Sequence, residues 1–96
     1  MYGTIARMKA KPEAVKTIEA RKRWGGEGVD GFIASYVYKS DDDPNEFWVA
    51  VLFRDRESYF ANANSPEQNE RYLELRALLA EEPEWHDGEV VTMNQS

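Results

Sequence analysis

Ninety-six residues with a formal net charge of −6 make one small domain in which scattered lysines and arginines are outnumbered by acids. That balance excludes nucleic acid and anionic membranes as expected partners, since both need clustered cations to neutralise phosphate. With 42% hydrophobic and 31% charged residues the composition is that of a globular chain, and with no cysteine it has no disulfide framework, thiolate metal site or cysteine nucleophile.

The elements follow in chain order. Residues 2–9 alternate and carry Tyr, Thr and Ile, so they predict a first strand. Pro12 opens a helix whose stripe of Ala14, Val15 and Ile18 runs to about Arg23, and "GGEGVDG", Gly25 to Gly31, closes it as a cap and turn. The glycines do not make a phosphate loop: the GK[ST] ending is missing and a strand follows, not a helix. Phe32–Lys39 and Glu46–Arg54 predict a hairpin joined by "SDDDPN", whose aspartates lack calcium-loop spacing and read as a solvated tip. "DRESYFANAN" predicts a short helix burying Tyr59, Phe60 and Ala63. "SPEQ" then starts a longer one, with Ser65 as N-cap, Pro66 at the first position and Gln68 at the third, ending near Glu82 before Pro83. "EWHDGEVVTM" is the last strand.

The order β-α-β-β-α-α-β predicts an α+β, ferredoxin-like split arrangement in a single domain over 1–96, with a four-stranded antiparallel sheet covered by helices on one side. In the third strand Phe47, Val49, Val51 and Phe53 alternate with Trp48, Ala50 and Leu52. Both faces are apolar and the helices can cover only one. A homodimer with two sheets packed together as a barrel is the expected cover, and it also supplies burial that so small a monomer lacks. Arg7 is expected to pair with an acid, across the dimer. Met1 runs straight into a strand without a signal-like start, and no apolar run approaches the ~18 residues of a membrane helix, so a cytoplasmic location is expected.

The strand-helix-strand-hairpin order, the stretch "FIASYVYKSDDDPNEFWVAVLFRDRESYFANANSPEQ" and the closing "EWHDGEVV" resemble the antibiotic biosynthesis monooxygenase (ABM) domain of the dimeric α+β barrel superfamily. The resemblance covers essentially the whole chain and implies a dimer with a cavity between each subunit's sheet and helices. Some members oxygenate phenolic or anthrone-like polycycles without metal or flavin, and others degrade haem. The haem-degrading branch has an Asn on the first strand, a Trp in the short helix and a His on the next. Anchored at Ser65, those places hold Gly3 or Thr4, Asn62 and Tyr72, so no haem is expected. The cofactor-free branch needs only a dry pocket, a base and donors for an anion.

On the long helix Leu78, Leu75, Leu79, Tyr72, Ala80 and Leu73 span one arc, with Arg76 inside it and Asn69 beside it. Tyr72, Arg76 and Asn69 are therefore candidates to line a pocket, Arg76 holding a phenolate, while the plainer and preferred reading is that Arg76 snorkels at the helix edge. Asn62 joins them on the strength of its family position, although its plainer role is that of a turn residue bonding the backbone between the two helices. His86 is the one group with an ordinary pKa near neutrality and so the candidate general base. It is read first as a structural or interfacial residue at a strand's start, and a metal role lacks partner ligands. Trp48 and Tyr36 are candidate substrate platforms, with core or interface as the plainer role. The reading is thus a cofactor-independent monooxygenase for an aromatic or quinol-like molecule, with no metal or cofactor. The alternative is a non-catalytic dimeric barrel binding a small ligand or a partner protein.

Overall fold

The computed structural model describes residues 1–24 and 26–96; Gly25, read above as part of the turn, lies outside them. Strand β1 is Tyr2–Lys9, β2 Phe32–Lys39, β3 Glu46–Phe53 and β4 Glu84–Glu89; a 3-10 turn over Pro12–Ala14 leads into α1, Val15–Ala20, while α2 is Arg56–Ala63 and α3 Pro66–Arg76. The sheet order is β2-β3-β1-β4, with every neighbouring pair antiparallel. This is the expected α+β, ferredoxin-like sheet with helices on one face.

Register settles which residues face the helices. Thr4 pairs with Val51 and Asp87, and Ala6 with Val49 and Trp85, so these side chains share one face. Under the helices that face buries Ala6, Met8, Phe47 and Val49 against Ile18, Leu75 and Leu79. The opposite face carries Ile5, Arg7, Trp48, Ala50, Leu52, Tyr36, Tyr38 and His86. Among the described residues no helix covers it, and Ile5, Tyr36 and Tyr38 are 54%, 58% and 61% exposed. Arg7 finds its acid within the chain: its Nε lies 2.7 Å from Glu46 on the neighbouring strand.

The C-terminal ends of α3 and α1 both fall earlier than the periodicity suggests. At the C-terminus of α3, Leu78 and Leu79 donate to Leu75 and Arg76, tightening the last turn. The next groups are taken by the extension of β1: Ala80 N donates to Lys9 O at 2.8 Å and Lys11 N to Leu78 O at 2.9 Å. Pairing with the sheet thus replaces helix beyond Arg76. In α1, Arg21 turns extended at φ −69°, ψ 128° after its N–H caps Ile18 O. β4 stops at Glu89 because β1 ends opposite it, Val90 N making a last bond to Met1 O. On α2 the buried pair is Ser58 and Asn62, not Tyr59, Phe60 and Ala63; the two rings are half-buried and Ala63 is exposed.

The turn before β2 needs its glycines. Gly31 has φ +87°, and a Cβ there would lie 2.4 Å from the side chain of Ser58. Only glycine combines that backbone with so close an approach of α2.

Candidate functional site

Between the sheet's covered face and the helices lies a half-open cavity of about 460 Å³. Its floor is Thr4, Met8, Val49, Val51 and Phe53. Tyr59, Phe60 and Asn62 of α2 and Gln68, Arg71, Tyr72 and Leu75 of α3 form the roof; Arg21, Trp24, Trp85 and Asp87 close the sides. A cavity of this size, largely apolar with a few convergent polar groups, is of the kind that holds small molecules.

Two caps set the roof. Asp55 accepts from Ser58 N at 2.8 Å and starts α2; Ser65 Oγ accepts from Gln68 N at 3.1 Å and starts α3. The Ser58 bonds, backbone first, hold the Asp55 carboxyl below its ordinary range. Each Oγ or carboxylate satisfies an N–H the helix cannot bond itself.

At one end Tyr59 donates its hydroxyl to Asp87 Oδ1 at 3.0 Å. Burial first, then this bond to a carboxylate, pushes the Tyr59 phenol well above its ordinary value, so it stays a neutral donor. Thr4 is 6% exposed beneath them; its hydroxyl sits near that of Tyr59 but makes no hydrogen bond to a described group. Tyr59 also packs edge-on against Tyr2, Phe53 and Phe60, with centroids 5.2, 5.7 and 5.0 Å away.

Toward α1 the wall is basic. Arg71 donates Nε and Nη2 to Gln68 Oε1 at 3.3 and 3.2 Å, and Asn62 Nδ2 approaches the same oxygen at 3.5 Å. Arg21 donates Nη2 to the Arg71 carbonyl at 3.3 Å and lies over the Trp24 ring. Trp24 in turn donates its indole N–H to Arg21 O.

The predicted site residues therefore divide. Asn62, Asn69 and Tyr72 line the cavity. Tyr72 offers its ring, 6.2 Å from that of Trp85, because its hydroxyl is given to Glu82 at 3.1 Å. Burial and that acid raise its pKa. Arg76 is absent from the cavity wall: it pairs with Glu82 at 3.1 Å and donates to Leu79 O, the helix-edge arrangement. His86, Trp48 and Tyr36 stand on the uncovered sheet face, separated from the cavity by the sheet. His86 is exposed, opposite Ile5, with Nε2 2.8 Å from Glu84. Trp48 donates its indole N–H to Glu46. Sequence reasoning missed Tyr59, Asp87, Arg71 and Arg21. Asp87 alone was within reach, since it must share a face with Trp85 one residue beyond His86.

The family model for antibiotic biosynthesis monooxygenase matches residues 1–71. The chain belongs to that family. No curated protein matches the sequence. Among solved structures, an ABM-named protein from Nitrosomonas europaea superposes with TM-score 0.79 at 18% identity, over 96% of this chain and 100% of its own. A variant of SnoaB, a cofactor-independent oxygenase from Streptomyces nogalater, gives 0.79 at 16% identity, over 96% and 94%. An ABM-named protein from Chloroflexus aurantiacus gives 0.72 at 24% identity, over 98% and 96%. At these identities the superpositions establish the ABM fold. Among the described residues no helix is long and apolar enough to cross a membrane.

Proposed function

We propose that this chain is a homodimeric, cytoplasmic monooxygenase of the cofactor-independent kind, oxidising an electron-rich aromatic or quinol-like molecule in the cavity between sheet and helices. The observation that carries the reading is the Asp87–Tyr59 pair set into a cavity otherwise walled largely by apolar and aromatic groups. Among the described residues Asp87 is the one carboxylate on that wall, and it takes the proton that makes the substrate an electron-rich anion. The anion delivers an electron to dioxygen, and the two radicals combine at the ring carbon. For an anthrone the hydroperoxide then loses water, so CH₂ becomes C=O. One oxygen atom enters the product and the other leaves as water; the substrate supplies all four electrons. Tyr59, kept neutral, orients Asp87.

The uncovered sheet face supports the dimer. Ile5, Tyr36 and Tyr38 are exposed around Ala50 and Leu52, and burial against a second copy would cover them. In that arrangement His86 is an interface residue.

The test is a thermal-shift panel of haem, flavin, hydroquinones, anthrones and flavonoids, followed by oxygen uptake with any hit. One dioxygen consumed per anthrone is expected, at a rate that falls about 10²-fold in Asp87→Asn. Stabilisation without oxygen uptake would leave the ligand-binding barrel, which the exclusion of the one histidine from the cavity favours. Stabilisation by haem alone would overturn both.

A further inference from the structure

We infer that the cavity takes its aromatic ligand as a carboxylate, held by Arg21 and Arg71. This rests on reading the cavity as the ligand site and narrows the class of molecule it accepts. The cavity wall carries two guanidinium groups, Arg21 and Arg71, against one carboxylate, Asp87, whereas the chain as a whole carries −6. The wall is therefore locally positive by one charge inside an acidic protein.

Among the described residues three arginines are paired with acids, and Arg23 and Arg56, which like the cavity pair have none, are exposed to solvent. Arg7 pairs with Glu46, Arg54 with Asp30 and Asp55, and Arg76 with Glu82. Among the described residues neither Arg21 nor Arg71 has a carboxylate within ion-pair distance. Arg71 is met only by the neutral amide oxygen of Gln68, and Arg21 by a backbone carbonyl. Arg21 Nε is buried without a hydrogen-bond partner among the described residues. A half-buried cation with neutral partners and a spare N–H is an incomplete arrangement, and a bound anion completes it.

The position of the one carboxylate separates the two ends of the ligand. Asp87 lies on edge strand β4, while Arg21 follows α1, which is tied to β2 through Glu19 and Lys39. A planar ligand spanning the cavity would put its carboxylate toward Arg21 and its oxidisable ring toward Tyr59 and Asp87. Trp24 and Tyr72 would flank the ring.

The experiment uses three stable probes, hydroxylated benzoate, naphthoate and anthracene carboxylate, each against its methyl ester. Binding to the full chain is read by quenching of tryptophan fluorescence, since Trp24 and Trp85 line the cavity. At least one acid should bind tenfold or more tightly than its ester. That preference should shrink to within about threefold in Arg71→Gln and Arg21→Gln, and partly return in Arg71→Lys; circular dichroism checks that each variant is folded. Acid and ester binding alike would overturn the carboxylate assignment and leave the cavity as the ligand site. An acid preference that survives in both folded variants would overturn it too. If no probe of either kind binds, the assignment and the site reading fail together.

Discussion

The Tyr59–Asp87 pair makes a prediction in which stability and site chemistry are read from one substitution. Tyr59→Phe removes the hydroxyl that donates to Asp87 at 3.0 Å and leaves the ring, with its edge contacts to Tyr2, Phe53 and Phe60. A hydrogen bond of this kind contributes about 0.5–1.5 kcal/mol net, so at pH 7 the variant should melt about 2–12 °C lower, at about 4–8 °C per kcal/mol for a domain this size. The larger signature is at alkaline pH. The Tyr59 phenol is raised above its ordinary 10.0 by burial and by Asp87, so the folded chain keeps a proton that the unfolded chain has lost. Stability from this group is complete below pH 10 and falls as pH rises above it, because the unfolded state then binds fewer protons. One proton sets a ceiling of about 1.4 kcal/mol per pH unit, and the ring's half-exposed position reduces it by solvent screening. Urea unfolding at pH 8, 9, 10 and 11 should show the wild type losing stability beyond pH 10 faster than Tyr59→Phe, so that the two curves converge. Parallel curves would refute the claim that the burial of this phenol and its bond to Asp87 set its acidity.

Gly31→Ala places a Cβ at φ +87° and 2.4 Å from Ser58, so a loss of at least about 1–3 kcal/mol is expected in urea titration. Ser65→Ala removes the cap on Gln68 N and should cost about 1 kcal/mol, with probe affinity falling because α3 carries Gln68, Arg71 and Tyr72; calorimetry with the naphthoate checks both. Toward acid pH, the carboxyls of Asp43, Glu46, Asp55 and Glu82 are held below their ordinary range, the first two chiefly by Lys9 and Arg7. Their contribution is present above about pH 4.5 and lost as pH falls through the depressed values, so thermal melts should drop between pH 4.5 and 2, least in Glu46→Gln. Leu52→Asp on the uncovered face should convert the proposed dimer to a folded monomer by sedimentation equilibrium; a dimer unchanged by the substitution would remove that face from the interface.

The fold was legible because hydrophobic period and turn chemistry agree along most of the chain. Alternation marked β1, an unbroken apolar run after a turn marked β3, and the Ser65, Pro66, Gln68 signature marked the start of α3 within the residue. The errors sit where long-range hydrogen bonding overrode local pattern. Leu78 and Leu79 keep helical spacing with Leu75, yet the backbone around them pairs with Lys9–Lys11. A 100° wheel continued through that segment drew Arg76 toward the pocket, although the helix ends there and Arg76 turns to Glu82.

The site was less legible for a different reason: β3 is apolar on both faces, so its alternation does not say which face the helices choose. Register decides it. With Thr4 opposite Val51 and Asp87, the inward set becomes Thr4, Val51, Trp85 and Asp87, while His86 turns out with Ile5 and Trp48. A one-residue shift would exchange the two sets. The pull toward His86 came from its solution pKa, a property of the side chain alone, whereas a reacting group is selected by where the sheet aims it. Arg21 and Arg71 give the complementary case. As residue types they look like surface cations, and they gain meaning only when α1 ends early and Arg21 crosses to the Arg71 carbonyl on α3, leaving both charges on a cavity wall with no acid of their own among the described residues.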